Sequence, residues 1–168
     1  MNGLPSFTLC PLTEAHGSAI CSWRYEPPYD VYNFPSWETM LERREQFADP
    51  AIRDEQFAAV LAADDAAAGL EAPELAGFAQ FFPLIGVTRI GLGLHPALRG
   101  RGWGEAFVRA IADEAKRRQP DHDIDLEVAV WNERARRVYE RAGFVVTDRY
   151  VVQTPTGVNE VYCMVYEP

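Results

Sequence analysis

The stretch HPALRGRGWGEA, His95–Ala106, decides how this chain is read. Three glycines alternate with two arginines around a tryptophan, directly after an extended run and directly before a helical one. Glycines let a backbone turn tightly and present successive N–H groups to a ligand. The helix that follows adds unpaired N–H groups and the positive end of its dipole. Arginines add charge-assisted hydrogen bonds to phosphate oxygens. A strand, such a turn and a helix in that order make a seat for a polyphosphate, most directly a pyrophosphate. A P-loop would need Lys-Ser or Lys-Thr after the last glycine, and none follows. A dinucleotide fingerprint would need a third glycine after Gly102 and Gly104, and Glu105, Ala106 and Phe107 stand there instead. The plain alternative is an exposed Gly-rich turn whose arginines are merely solvated.

Such a cradle is unexpected in an acidic chain. The 168 residues carry a formal net charge of −9 and suffice for one domain with a substantial core, read here as residues 1–168. The charge is uneven: residues 1–88 hold 4 Arg against 13 Asp and Glu, whereas residues 89–168 hold 12 of each sign. The overall negative field argues against nucleic acid as a partner. No apolar run is long enough for a membrane span, and the first ten residues lack the basic and apolar regions of a signal peptide, so a cytoplasmic protein is expected. Cys10, Cys21 and Cys163 are too far apart for a metal motif, and no metal site is expected.

The rest of the chain reads as elements around the cradle. SFTLCPLT is a short strand, and Thr13 can cap a helix reaching about Trp23. RYEPPYDVYNFPS is a Pro- and Tyr-rich ordered loop. Ser36 caps a second helix, WETMLERREQFA, with Trp37, Met40, Leu41 and Phe47 facing inward. QFAAVLAA and ELAGFAQFFPL are strands flanking the acidic loop DDAAAGLEAPE. VTRIGLGLHP is the strand before the cradle. GEAFVRAIADEAKRR is a helix with Phe107, Val108, Ile111, Ala112 and Ala115 on one face. DIDLEVAVW alternates as a strand, Asn132 caps a helix ending at Gly143, and two strands close around PTG. The order is a mixed sheet with helices, an α/β or α+β single domain.

Two segments carry a family resemblance. Arg99-Gly100-Arg101-Gly102-Trp103-Gly104 resembles the [QR]-x-x-G-x-[GA] motif of the GNAT superfamily, the GCN5-related N-acetyltransferases. The second segment, WNERARRVYERAGF, begins 27 residues after Gly104. It is similar to the superfamily's N-x-x-A-x-x-x-Y-x-x-x-G-F run through Asn132, Ala135, Tyr139, Gly143 and Phe144. The resemblance covers about residues 76–145. It implies a mixed, mostly antiparallel sheet of about seven strands with about four helices, splayed between the fourth and fifth strands. It implies acetyl-CoA as cosubstrate, with the amides of Arg99, Gly100, Arg101, Gly102, Trp103 and Gly104 on the pyrophosphate. Leu94 would offer backbone hydrogen bonds to the pantetheine arm, beside the low-bulk Gly91 and Gly93, and Asn132 would touch CoA.

The implied reaction is acetyl transfer to a primary amine by direct attack on the thioester. Tyr139 matches the superfamily's general acid for the departing thiolate, although the same helix face could simply bury it. A Glu often stands on the strand before the cradle, and here Arg89, Gly91 and Gly93 occupy that strand. Glu127 is the candidate base instead. It stands twelve residues before the Tyr, as in the ribosomal-protein N-terminal acetyltransferases that LEV resembles. A solvated Glu with water as the base is the alternative. The acceptor wall is expected in the loop between the first two helices, with Tyr25, Glu26, Tyr29 and Tyr32, and with Asp30 beside them. Acids among aromatics suit a cationic amine, and a rigid packed loop is the competing reading. Bacterial members contain similar loops. The expected partner is a small-molecule or peptide amine; a homodimer is among the expected assemblies. A non-catalytic CoA-binding module is the alternative to an enzyme.

Overall fold

The computed structural model describes residues 4–63, 74–154 and 157–168. The acidic loop expected after the second strand lies outside them but for Glu74, as do Pro155 and Thr156 of the last turn. Seven strands and five α-helices are described: β1 Ser6–Pro11, α1 Glu14–Cys21, α2 Trp37–Arg43, α3 Pro50–Gln56, β2 Phe57–Ala63, β3 Glu74–Leu84, β4 Val87–Leu94, α4 Gly104–Arg118, β5 Asp123–Ala129, α5 Glu133–Ala142, β6 Phe144–Thr154 and β7 Gly157–Tyr166. The strands are hydrogen-bonded in the order β1-β2-β3-β4-β5-β7-β6. β4 and β5 run parallel, while β1–β2, β2–β3, β5–β7 and β6–β7 are antiparallel. The fold is the expected mixed α/β one, with five helices where about four were expected.

The extra helix is α3. The expected second helix stops early because Arg44 takes a left-handed conformation at φ 52°. A short 3-10 turn, Gln46–Ala48, follows. Asp49 then accepts from the Ala51 amide and caps α3, with Pro50 in its first turn. The Asp-Pro pair carried that signal in the sequence. Leu41, expected inside, is exposed, whereas Met40 and Phe47 are buried and Trp37 is partly buried.

By its contacts the chain divides into two compact units, Met1–Gln80 with Leu92–Trp103 and Phe81–Gly91 with Gly104–Pro168. The first has a core of Leu12, Ile20, Trp23, Met40, Phe47, Phe57 and Phe78. Thr13 and His16 form a reciprocal capping box at α1, which gives His16 a structural role. Gly17 lets α1 lie against Trp37, since a Cβ there would meet that ring at 2.7 Å. The second unit buries the expected face of α4, with Phe107, Val108, Ile111, Ala112 and Ala115, together with Ile124, Leu126 and Val128 of β5. Asn132 caps α5 by accepting from the Ala135 amide, and Gly143 ends it at φ 111°. Gly104 packs closely on α5, where a Cβ would stand 3.0 Å from the Val138 side chain.

Candidate active site

In the first unit, the cradle begins where β4 ends. His95 accepts the Ala97 amide on Nδ1 and caps a 3-10 turn, Pro96–Leu98. Its ring meets Trp23 edge-on, and burial lowers its pKa. Arg99 is extended, and Gly100 and Gly102 then take φ 79° and 78°. That alternation turns successive amides toward one side, the geometry of an anion nest. The amides of Gly100, Arg101, Gly102 and Trp103 make no backbone hydrogen bond among the described residues. A Cβ on Gly102 would meet nothing within 4 Å, so its glycine serves the dihedral and not the space. Free donors on an exposed turn fit a bound anion. Trp103 itself is buried, edge-on to Phe7 and under the Arg101 guanidinium.

The loop expected to form the acceptor wall is ordered and lies in the same unit. It contains a cis Pro27–Pro28 bond and a 3-10 turn, Tyr29–Tyr32. Asn33 closes it: its Oδ1 accepts the Tyr25 amide at 2.7 Å, and its Nδ2 donates to the Tyr25 carbonyl at 3.4 Å. Sequence reasoning missed this clasp. The Tyr25 hydroxyl donates to the Leu94 carbonyl at 2.7 Å. Burial pushes the Tyr25 phenol up to about 12, against the opposing pull of Arg99. Glu26, Asp30 and Tyr32 are exposed, and Tyr29 is partly buried. Gly93, whose low bulk was expected beside the pantetheine arm, also makes room for the Phe78 ring, which a Cβ would strike.

In the second unit, Glu127 and Asp125 share one face of β5 and meet Arg89 of β4. Arg89 donates through Nε and Nη2 to the two Asp125 oxygens, at 3.0 and 2.8 Å, and through Nη1 to Glu127 Oε1 at 2.7 Å. The parallel ladder ends at this pair, Arg89↔Asp125, while β5 continues to Ala129. The Asp125 hydrogen bond holds the guanidinium firmly protonated. Cys163 donates to Asp125 at 3.5 Å, and burial raises its thiol pKa. Tyr150 is pushed up by burial first and then by Glu127. The candidate base therefore keeps Oε2 without a hydrogen-bond partner among the described residues, while Oε1 is held. Tyr139 is partly buried on α5, edge-on to Phe144 at 6.2 Å. Asn132 is buried, with Oδ1 on the α5 cap.

The acetyltransferase (GNAT) family model matches residues 18–144. Among solved structures, a chimera of the Vibrio cholerae spermidine N-acetyltransferase SpeG with hSSAT is similar at TM-score 0.73 and 20% identity, covering 96% of this chain and 95% of that one. The aminoglycoside enzyme AAC(6')-Ib, in complex with paromomycin and acetyl-CoA, is similar at TM-score 0.70 and 24% identity, covering 96% and 93%. No curated protein sequence matches the chain. The chain belongs to the acetyltransferase (GNAT) family. It is an acyltransferase, an acetyl-CoA-dependent N-acetyltransferase acting on an amine. No helix among the described residues is long and apolar enough to cross a membrane. No group of three or more His, Cys, Asp or Glu among them could hold a metal ion.

Proposed function

We propose that the whole chain works as one N-acetyltransferase domain that acetylates a small cationic amine or a peptide amine, with the loop between α1 and α2 as the acceptor wall. The observation that carries this reading is the nest of free amides at Gly100–Trp103 beside an ordered loop bearing Glu26 and Asp30. The structures with the same fold include enzymes named for spermidine and one bound to an aminoglycoside, which supports an amine of that kind. A cytoplasmic, bacterial setting and a homodimer belong to the same proposal.

Acetyl-CoA supplies the thioester carbonyl that the amine attacks. The Arg99 amide is turned back to the Pro96 carbonyl at 3.4 Å, so the amides of Gly100 through Gly104 hold the pyrophosphate, aided by Arg101, and Asn132 adds a contact to CoA. The Leu94 amide is offered to the carbonyl oxygen as negative charge develops on it. An ammonium of ordinary pKa, about 10.4, must lose a proton before it attacks. Glu127 Oε2 takes that proton, directly or through water, and Arg89 fixes the carboxylate's orientation by holding Oε1. The Tyr139 hydroxyl returns a proton to the departing sulfur as the C–S bond breaks. The ammonium thus gains an acetyl group and loses two protons: one goes to Glu127 and on to solvent, and the other, from the attacking nitrogen, replaces the one that Tyr139 gives to the sulfur.

The acceptor is found by competition. Polyamines, aminoglycosides and peptides with free N-termini are offered together with acetyl-CoA, and acetylated products are identified by mass spectrometry. Selective acetylation of one cationic class is expected. Acetylation that ignores Glu26→Gln with Asp30→Asn would remove the loop from acceptor binding.

A further inference from the structure

We infer that the Arg99 side chain serves the amine side of the site: together with Tyr25 it is a positioning residue that ties the 24–33 loop to the end of β4, and its guanidinium is not a phosphate ligand. The inference rests on reading that loop as the acceptor wall.

The geometry is specific. The Arg99 guanidinium lies 4.1 Å from the centroid of the Tyr29 ring and 5.6 Å from that of Tyr25. Its side chain makes no hydrogen bond or ion pair among the described residues, so aromatic faces are its partners there. A guanidinium over a ring is held by the ring quadrupole and by stacking. Tyr25 enters the loop and Tyr29 begins its 3-10 turn, so one cation spans both parts. Tyr25 is itself fixed at three points. Its amide and carbonyl are held by Asn33, and its hydroxyl donates to the Leu94 carbonyl. The next amide, of His95, donates to the Ala76 carbonyl at 2.7 Å, so the Leu94–His95 peptide is held at both ends. Tyr29, Arg99, Tyr25 and Leu94 form one continuous chain of contacts from the loop to the strand end that leads into the cradle.

This arrangement alters the expected cation pocket. Arg99 already faces Tyr25 and Tyr29, and it would repel an ammonium that shared those rings. A cationic amine is then left to Glu26, Asp30 and Tyr32, all exposed on the same loop. The Tyr-Arg stack sets where those groups stand. The pyrophosphate needs only the backbone amides that follow Arg99, at Gly100–Trp103, which substitution of the Arg99 side chain leaves in place.

The test compares the full-length wild type with Arg99→Met and Arg99→Lys. Hydrogen exchange of amides 25–33 reads the loop, calorimetry with CoA reads the cradle, and turnover with the amine selected by the competition panel reads the acceptor. In Arg99→Met, loop exchange should accelerate about fivefold or more, the loss expected of a cation–π contact, and Arg99→Lys should restore part of the protection. The Kd for CoA should stay within about twofold, while the amine KM rises about fivefold with kcat and the acetyl-CoA KM little changed. Unchanged loop exchange in Arg99→Met, or a tenfold or greater loss of CoA affinity, overturns the inference. If no amine is turned over, the acceptor reading fails, and exchange and calorimetry still decide the role of Arg99.

Discussion

The hydroxyl of Tyr25 donates to the carbonyl oxygen of Leu94 across 69 residues of sequence, at 2.7 Å. It joins the loop after α1 to the last residue of β4. Tyr25→Phe keeps the ring and leaves that carbonyl without its donor, so a loss of about 1 kcal/mol is expected in urea unfolding at neutral pH.

The same phenol makes a pH prediction. Its pKa is raised from 10.0 to about 12 in the fold. Between those values the unfolded chain has released the proton and the folded chain still holds it, so unfolding is favoured as pH rises. The contribution is complete below the unfolded pKa and is lost as pH climbs through the folded one. The stability gap between wild type and Tyr25→Phe should therefore shrink between pH 10 and 12. A gap that stays constant over this window would contradict the burial of the phenol.

Arg89 compensates two carboxylates, one of them nearly buried. Arg89→Met removes the cation and leaves Asp125 facing Glu127. A loss of about 3 kcal/mol is expected, as for a buried pair broken on one side. Adding Asp125→Leu should recover part of it, and chemical denaturation of the single and double variants measures both.

Much of this arrangement was legible in the sequence, and the exceptions have physical causes. α4 and α5 were plain because their periodicity, the Asn132 cap and the Gly143 stop all agree. α3 was not, because a run of helix-forming residues hides the break at Arg44, where a non-glycine residue takes a left-handed conformation. The cradle was legible because glycine at Gly100 and Gly102 is the cheapest way to reach positive φ. The contacts of Tyr25 and Arg89 join residues 69 and 36 positions apart, and no local pattern encodes such pairs. Gly93 carries a packing requirement that no local pattern showed, because a Cβ there would strike the Phe78 ring.

Gly102→Ala separates backbone shape from crowding. Nothing would touch the added methyl, so its cost is the dihedral at φ 78°. A stability loss of about 1 kcal/mol is expected, with a larger proportional loss in CoA affinity as the nest amides turn away. Calorimetry with CoA, beside thermal unfolding, checks this, and unaltered CoA affinity would take the nest out of cosubstrate binding.

Tyr139→Phe isolates the proposed acid. The ring still packs edge-on to Phe144, so CoA affinity should hold. Loss of a general acid lowers kcat by about 100-fold or more. Full kcat in a correctly folded variant would reduce Tyr139 to a packing residue.

The most direct measurement is amine-dependent release of free thiol from acetyl-CoA by the wild-type protein, followed with a thiol reagent across the amine panel. Expected is saturable release that depends on both acetyl-CoA and one class of amine, with one acetyl group found on the amine for each thiol freed. CoA binding with no thiol release above background for any amine would contradict catalysis by this site.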